Sequence, residues 1–147
     1  MFIKKERFKL IAEVCLVLIK EDKILLSRRY NTGYGDGYYS FPAGHLEEGE
    51  TLKEGVVREA KEEVGIDVNI SDLELIHVMD RNVINNERIA FFFKAKEWKG
   101  NLINMEPEKC DDLKWFKINE LPENTIPYIR SAINFYLNNT IYSELDN

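Results

Sequence analysis

Three glutamates, Glu59, Glu62 and Glu63, crowd one short segment of this chain of 147 residues, and their spacing limits the chemistry open to them. At about 100° per residue of helix they fall within an arc of roughly 100°, opposite Val57, Ala60 and Val64. Glu59 and Glu63 are an i,i+4 pair of like charge, which costs an isolated helix roughly 0.2–0.5 kcal/mol unless something positive sits between them. A hard cation removes that penalty. Mg²⁺ favours carboxylate oxygens and keeps several waters, so acids on one helix, completed by a substrate phosphate, make a suitable site. Arg58, four residues before Glu62, is placed to hold that carboxylate as a partner behind the metal ligands. The plain alternative is a solvated helix face.

Several elements must position these acids. Thr51 with Glu54 fits a capping box, Val56, Val57, Ala60 and Val64 recur at helix spacing, and Gly65 suits the C-terminal cap, which predicts a helix from Thr51 to Gly65. Upstream, Val14 to Ile19 and Ile24 to Leu26 are strand-like runs around the polar turn at residues 20–23, and together they predict a hairpin. Asn31 to Gly37 has turn chemistry and leads into a short strand at Tyr38 to Phe41. Downstream, Leu73 to Met79, Ile89 to Lys94 and the pair Trp115 and Phe116 read as strands, and Ile126 to Leu137 as a second amphipathic helix. The polar tail after Asn138 is expected to fray. With no internal repeat or linker, the pattern predicts one α/β domain over residues 1–147.

The charge balance narrows the partners. Twenty-six acidic against 20 basic residues give a net charge of -6, the wrong sign for a general nucleic-acid polymer or anionic-membrane surface. An anionic substrate therefore needs local help, and a bound cation supplies it. Cys15 and Cys110 form no CxxC pair and have no histidine cluster beside them, so neither zinc nor a disulfide framework is indicated. The basic then apolar start is broken by Glu13, lacks a small-residue cleavage site and reads as a strand, with nothing of membrane-spanning length; a cytoplasmic protein is expected.

The wider spacing decides between a metal site and a solvated face. Gly44, five residues, Glu50, seven residues, then Arg58-Glu59-Ala60-Lys61-Glu62-Glu63-Val64-Gly65-Ile66 fill every fixed position of the Nudix box, GX5EX7REUXEEXGU. The chain resembles the Nudix hydrolases over these 23 residues. The strand Leu25-Leu26-Ser27-Arg28-Arg29 and the later EPEKCDDLKWF look like the MutT-type, nucleotide-sanitising branch of that family.

That resemblance implies a Nudix-type α/β/α sandwich with a mixed central sheet, and hydrolysis of a nucleoside diphosphate linkage with Mg²⁺ or Mn²⁺. By position, Glu59 and Glu63 would bind metal, Glu62 would be a third ligand or orient water, and the carbonyl of Ala43 would complete the coordination. Glu50 would tie the loop to Arg58, with Gly44 and Gly65 shaping the motif. Similar proteins supply one more acid from a later loop, and Glu108 is the expected one within the run Glu106, Glu108, Asp111, Asp112. Arg29 is expected on phosphate. Phe41, Trp115 and Tyr128 are candidates to stack a base, since aromatic faces accept nucleobases, and His45 to reach substrate. His77, in an apolar strand, reads as a packed and satisfied residue. Similar proteins often form homodimers.

Subfamily marks beyond the box point to substrate by elimination. The window Asp80-Arg81-Asn82-Val83 has neither the proline of ADP-ribose hydrolases nor the tyrosine of dinucleoside polyphosphate hydrolases, and the NADH-type SQPWPFPxS signature is absent. The expected substrate is a nucleoside triphosphate, normal, oxidised or non-standard, cleaved to monophosphate and pyrophosphate. The alternatives are a hydrolase of another nucleoside diphosphate derivative such as ADP-ribose, and a Nudix-fold nucleotide sensor without catalysis.

Overall fold

The computed structural model describes residues 1–146. Its centre is a five-stranded mixed sheet built on β1 (Ile11–Val17), which pairs in parallel with β7 (Arg88–Ala95) and antiparallel with β5 (Ala43–His45). β6 (Leu73–Asn82) and β9 (Tyr142–Asp146) extend it to the order β5-β1-β7-β6-β9. The two-residue period of a strand splits the core. Val14 and Leu16 face a cluster with Val56, Ala60 and Val64 of α1 (Leu52–Val64). Cys15 and Val17 face the other way, into a cluster with Ile129, Ala132 and Ile133 of α2 (Pro127–Leu137). The sheet thus lies between two helices, the expected α/β/α arrangement.

A second, smaller sheet holds β2 (Ile19–Lys20), β3 (Lys23–Arg29), β4 (Tyr39–Ser40) and β8 (Cys110–Lys117). β3 sits centrally in it, with β8 along its length and Tyr39 and Ser40 opposite Arg28 and Ser27. Ile24 and Leu26 enter the α2-side core, while Leu25 enters the α1-side core.

Local chemistry sets the boundaries of α1. The Thr51 hydroxyl accepts a hydrogen bond from the Glu54 N–H, and Gly65 at φ 71° turns the chain left-handed while its N–H bonds the carbonyls of Ala60 and Lys61. Such a cap contributes about 1 kcal/mol, and a residue with a side chain rarely adopts that φ.

Three expectations need correction. Val14 to Ile19 and Ile24 to Leu26 do not make one hairpin: only β2 pairs with β3, and β1 goes to the other sheet. Two sheets share the one apolar run because its long part is wanted on both faces. β6 and β8 each run several residues past the apolar segments that marked them, because the cross-strand ladders continue through charged positions. The tail after Asn138 is ordered as far as residue 146 rather than frayed: β9 pairs in parallel with β6, Tyr142 opposite Val78 to Asp146 opposite Asn82, and Asn147 lies outside the described residues. The tie is His77, fully buried, whose Nδ1 lies 2.7 Å from the Thr140 carbonyl and Nε2 2.8 Å from the Ser143 hydroxyl. His77 is therefore packed and satisfied as expected, and its ring stacks on Phe135.

Candidate active site

Glu59 and Glu63 of α1 are turned away from bulk water, while Glu62 stays exposed. α1 packs against β1 and β5, and Glu59, 8% exposed, lies directly on the β5 backbone. A Cβ on Gly44 would fall 1.9 Å from Glu59 Oε1. Glycine at that position is therefore a matter of space, since any larger residue would displace the carboxylate.

One guanidinium organises this end. Arg58 donates to both oxygens of Glu50, at 2.7 and 3.0 Å, to Glu59 Oε1 at 2.6 Å, to Glu62 Oε2 at 3.2 Å and to the His45 carbonyl at 3.0 Å. Only a planar fork with five donors serves that many acceptors. The contact with Arg58, and then the Glu47 N–H, holds the Glu50 carboxyl below its usual range. Glu50 thus joins the Glu47 backbone to Arg58, and Glu62, with half of its side chain exposed, is the most accessible acid of the three.

Glu63 lacks such a partner. Its Oε2 accepts one hydrogen bond, 2.9 Å from the Ala43 N–H, while burial first, then the charges of Glu59 and Glu106, push its pKa up to about 9. Burial also raises Glu59, against the pull of Arg58. A protein gains nothing in stability from gathering repelling carboxylates out of water. A divalent cation would reverse both causes at once, so the donor set fits one. Among the described residues no three acids, cysteines or histidines already converge tightly enough to coordinate an ion. Glu59 is turned to Arg58 and Glu63 to Ala43, and binding would need them to exchange those donors for metal.

The structure puts Glu106, rather than Glu108, beside this group. Backbone bonds from Ile103 N to the Val64 carbonyl and from Met105 N to the Glu63 carbonyl fasten the loop to the end of α1. The next residue, Glu106, then lines the cleft, whereas Glu108 sits exposed in the following turn and outside it.

These residues form one end of a cleft of about 720 Å³, ample for a nucleotide. Arg29 lines it, with Nε 2.6 Å from the Tyr34 carbonyl and Nη2 3.1 Å from the Thr32 hydroxyl. That loop holds the guanidinium near enough to Glu63 to pull against its high pKa. His45 is an exposed residue of the wall, and Phe41 belongs to both wall and core. Trp115 is not brought here; it packs with Trp98 in the α1-side core.

The opposite wall holds residues that the apolar pattern concealed. Glu13 of β1, Arg81 of β6 and Arg88 of β7 line the cleft together with Tyr128 of α2. One face of the Tyr128 ring carries the Arg81 guanidinium, 3.5 Å from the centroid, and its hydroxyl lies 3.3 Å from Glu13 Oε1. That face is not open to a base. The available signals were a single acid inside an apolar strand and arginines at the inward parity of β6 and β7, two positions from Met79 and Ala90.

A family model described as the NUDIX domain matches residues 9–134, most of the chain. The chain belongs to the Nudix hydrolase family. Among curated relatives of this Nudix chain, an NAD-capped RNA hydrolase NudC of Stutzerimonas stutzeri is 30% identical over 114 residues, covering 78% of this chain and 39% of its own. The NudC of Vibrio atlanticus is 32% identical over 133 residues, covering 80% and 46%. The chain thus spans less than half the length of these relatives. A MutT Nudix hydrolase from Burkholderia pseudomallei shares the fold, with a TM-score of 0.79 at 23% identity over 86% of this chain and 98% of that one.

Proposed function

We propose that this Nudix hydrolase cleaves a nucleoside triphosphate to monophosphate and pyrophosphate. The observation that carries the reading is the gathering of Glu59, Glu63 and Glu106 at one end of a nucleotide-sized cleft, with Arg29 beside them and a polar wall opposite. Phosphates belong at the acid end and the base at the other.

Glu59 and Glu63 would hold Mg²⁺ or Mn²⁺, with the Ala43 carbonyl, Glu62 and Glu106 at hand to complete or support the set. A bound divalent cation neutralises phosphate oxygens and lowers the pKa of water. The chain's own groups do the rest. Arg58 restrains Glu62 and holds Glu59 in place until metal takes it over, and Arg29 adds positive charge where anionic oxygens would enter. Glu62, the most open of the box acids, is placed to orient water or take its proton, whereas Glu63, its pKa pushed up to about 9, holds a proton until a metal displaces it. The acidic chain can bind a polyphosphate because the repulsion is cancelled locally.

The second reading is a nicotinamide dinucleotide, as free compound or RNA cap, and it is favoured by the NAD-capped RNA hydrolases among the relatives. The test is a panel of nucleoside triphosphates, ADP-ribose, NADH and NAD-capped RNA with Mg²⁺, following release of pyrophosphate and monophosphate. Pyrophosphate from triphosphates supports the proposal. Turnover confined to the dinucleotides establishes the second reading, and turnover of nothing in the panel would leave a nucleotide sensor.

A further inference from the structure

The two charged groups at the ends of the cleft are satisfied to very different degrees. Around Arg58 the contacts to Glu50 and Glu59 are 2.7 and 2.6 Å, the lengths of well-made charge-assisted bonds. Around Glu13 every contact is loose: 3.3 Å to Arg81 Nη1, 3.4 Å to Arg88 Nη1 and 3.3 Å to the Tyr128 hydroxyl. Glu13 and Arg81 are 7% and 4% exposed, and Arg81 Nε is out of contact with solvent and has no hydrogen-bond partner among the described residues. Burying ionised groups costs several kcal/mol each unless their bonds are made, and a buried polar atom left unpaired calls for an explanation. Core packing is a poor one, since these side chains line the cleft.

We propose that Glu13, Arg88 and Arg81 are the base-reading row of this cleft, and that they select a nucleobase carrying an exocyclic amino group beside a carbonyl on one edge, namely cytosine or guanine. The inference rests on the nucleotide reading above. The three residues stand on neighbouring strands in the order β1, β7, β6, with Glu13 level with Ala90 and Arg88 level with Arg81, so the row runs from one acceptor to two donors. Cytosine offers amino donor, ring-nitrogen acceptor and carbonyl in that order. Guanine offers two adjacent N–H donors followed by its carbonyl and a ring nitrogen. Uracil and thymine would set a carbonyl against the Glu13 carboxylate, because their one N–H lies between two carbonyls. Adenine has the amino group but no carbonyl, which leaves one guanidinium unanswered. Tyr128 acts as a positioning residue, covering the Arg81 guanidinium with its ring and steadying Glu13 with its hydroxyl.

The test is calorimetric binding of GMP, CMP, AMP and UMP to the whole protein, so that base reading is measured apart from hydrolysis. GMP or CMP is expected to bind at least about tenfold more tightly than AMP and UMP, and the GMP and CMP arms show which base is read. In Glu13→Gln the amide can donate to a carbonyl, so the margin over UMP should collapse. Circular dichroism checks that each variant is folded, and Arg81→Lys, which keeps the charge but loses the fork, should narrow the same margin if Glu13→Gln does not fold. AMP or UMP binding as tightly as both others in the wild type would overturn the proposal, as would an unchanged preference in folded variants or no binding of any monophosphate. Triphosphate turnover indifferent to the base would sink this inference and leave the proposed reaction standing. Selective monophosphate binding without triphosphate turnover would do the reverse.

Discussion

At the scale of single residues, Glu63 carries the most informative prediction. Its carboxyl is pushed up to about 9 from an ordinary value of 4.5, so the folded state holds a proton that the unfolded chain has already lost. A raised acid pKa stabilises fully below the unfolded value, and that stability drains away as pH rises through the folded one. The metal-free protein should therefore lose melting temperature between pH 5 and 9, and Glu63→Gln should flatten that slope in a thermal denaturation series. The same variant should abolish hydrolysis, and an active, folded Glu63→Gln protein would refute its placement as a ligand. Metal loading requires the ionised carboxylate, so stabilisation by Mg²⁺ should grow toward alkaline pH. Arg58→Lys is a second test: one ammonium cannot serve Glu50, Glu59, Glu62 and the His45 carbonyl together, and activity should fall by about tenfold or more while the fold persists.

At the scale of elements, the site depends on how closely α1 lies against β5. Gly44→Ala would place a methyl where Glu59 now rests; kcat should drop with only a modest change in melting temperature, and wild-type kinetics would show that Glu59 is free to lie elsewhere. The helix and its acids were legible in the sequence because cap, period and box are all local. The acid that lies beside the box group, Glu106, was legible only as far as its loop. Choosing Glu106 over Glu108 depends on the backbone bonds at Ile103 and Met105, which leave no mark in the side-chain pattern. β9 was hidden for a related reason: Tyr142, Ser143 and Glu144 do not form an apolar run, and what docks them is a buried histidine 66 residues earlier. Removing residues 141–147 should strip β6 of its β9 neighbour and leave His77 Nε2 without the Ser143 hydroxyl, a loss of about 1–3 kcal/mol from that buried nitrogen alone, measurable by urea denaturation.

At the scale of the whole molecule, the two sheets and two helices border a cleft with unlike ends. Two-sheet architecture was only partly readable, since the run from Ile11 to Lys20 is split between both sheets at Leu18. The charged wall was not readable at all, because Glu13 and Arg81 are 68 residues apart and meet only across the β1, β7 and β6 ladders. A ligand spanning both ends should stabilise the fold by about 2.7 kcal/mol at a hundred times its Kd, so a nonhydrolysable triphosphate with Mg²⁺ should raise the melting temperature more than either alone.

The box acids stand on α1, whereas Glu13, Arg88, Arg81 and Tyr128 stand on β1, β7, β6 and α2. No element supplies both groups. Mutational drift or directed evolution can therefore rewrite one wall without disturbing the register of the other, and a library confined to positions 13, 81, 88 and 128 should yield altered specificities at a far higher frequency than dead enzymes.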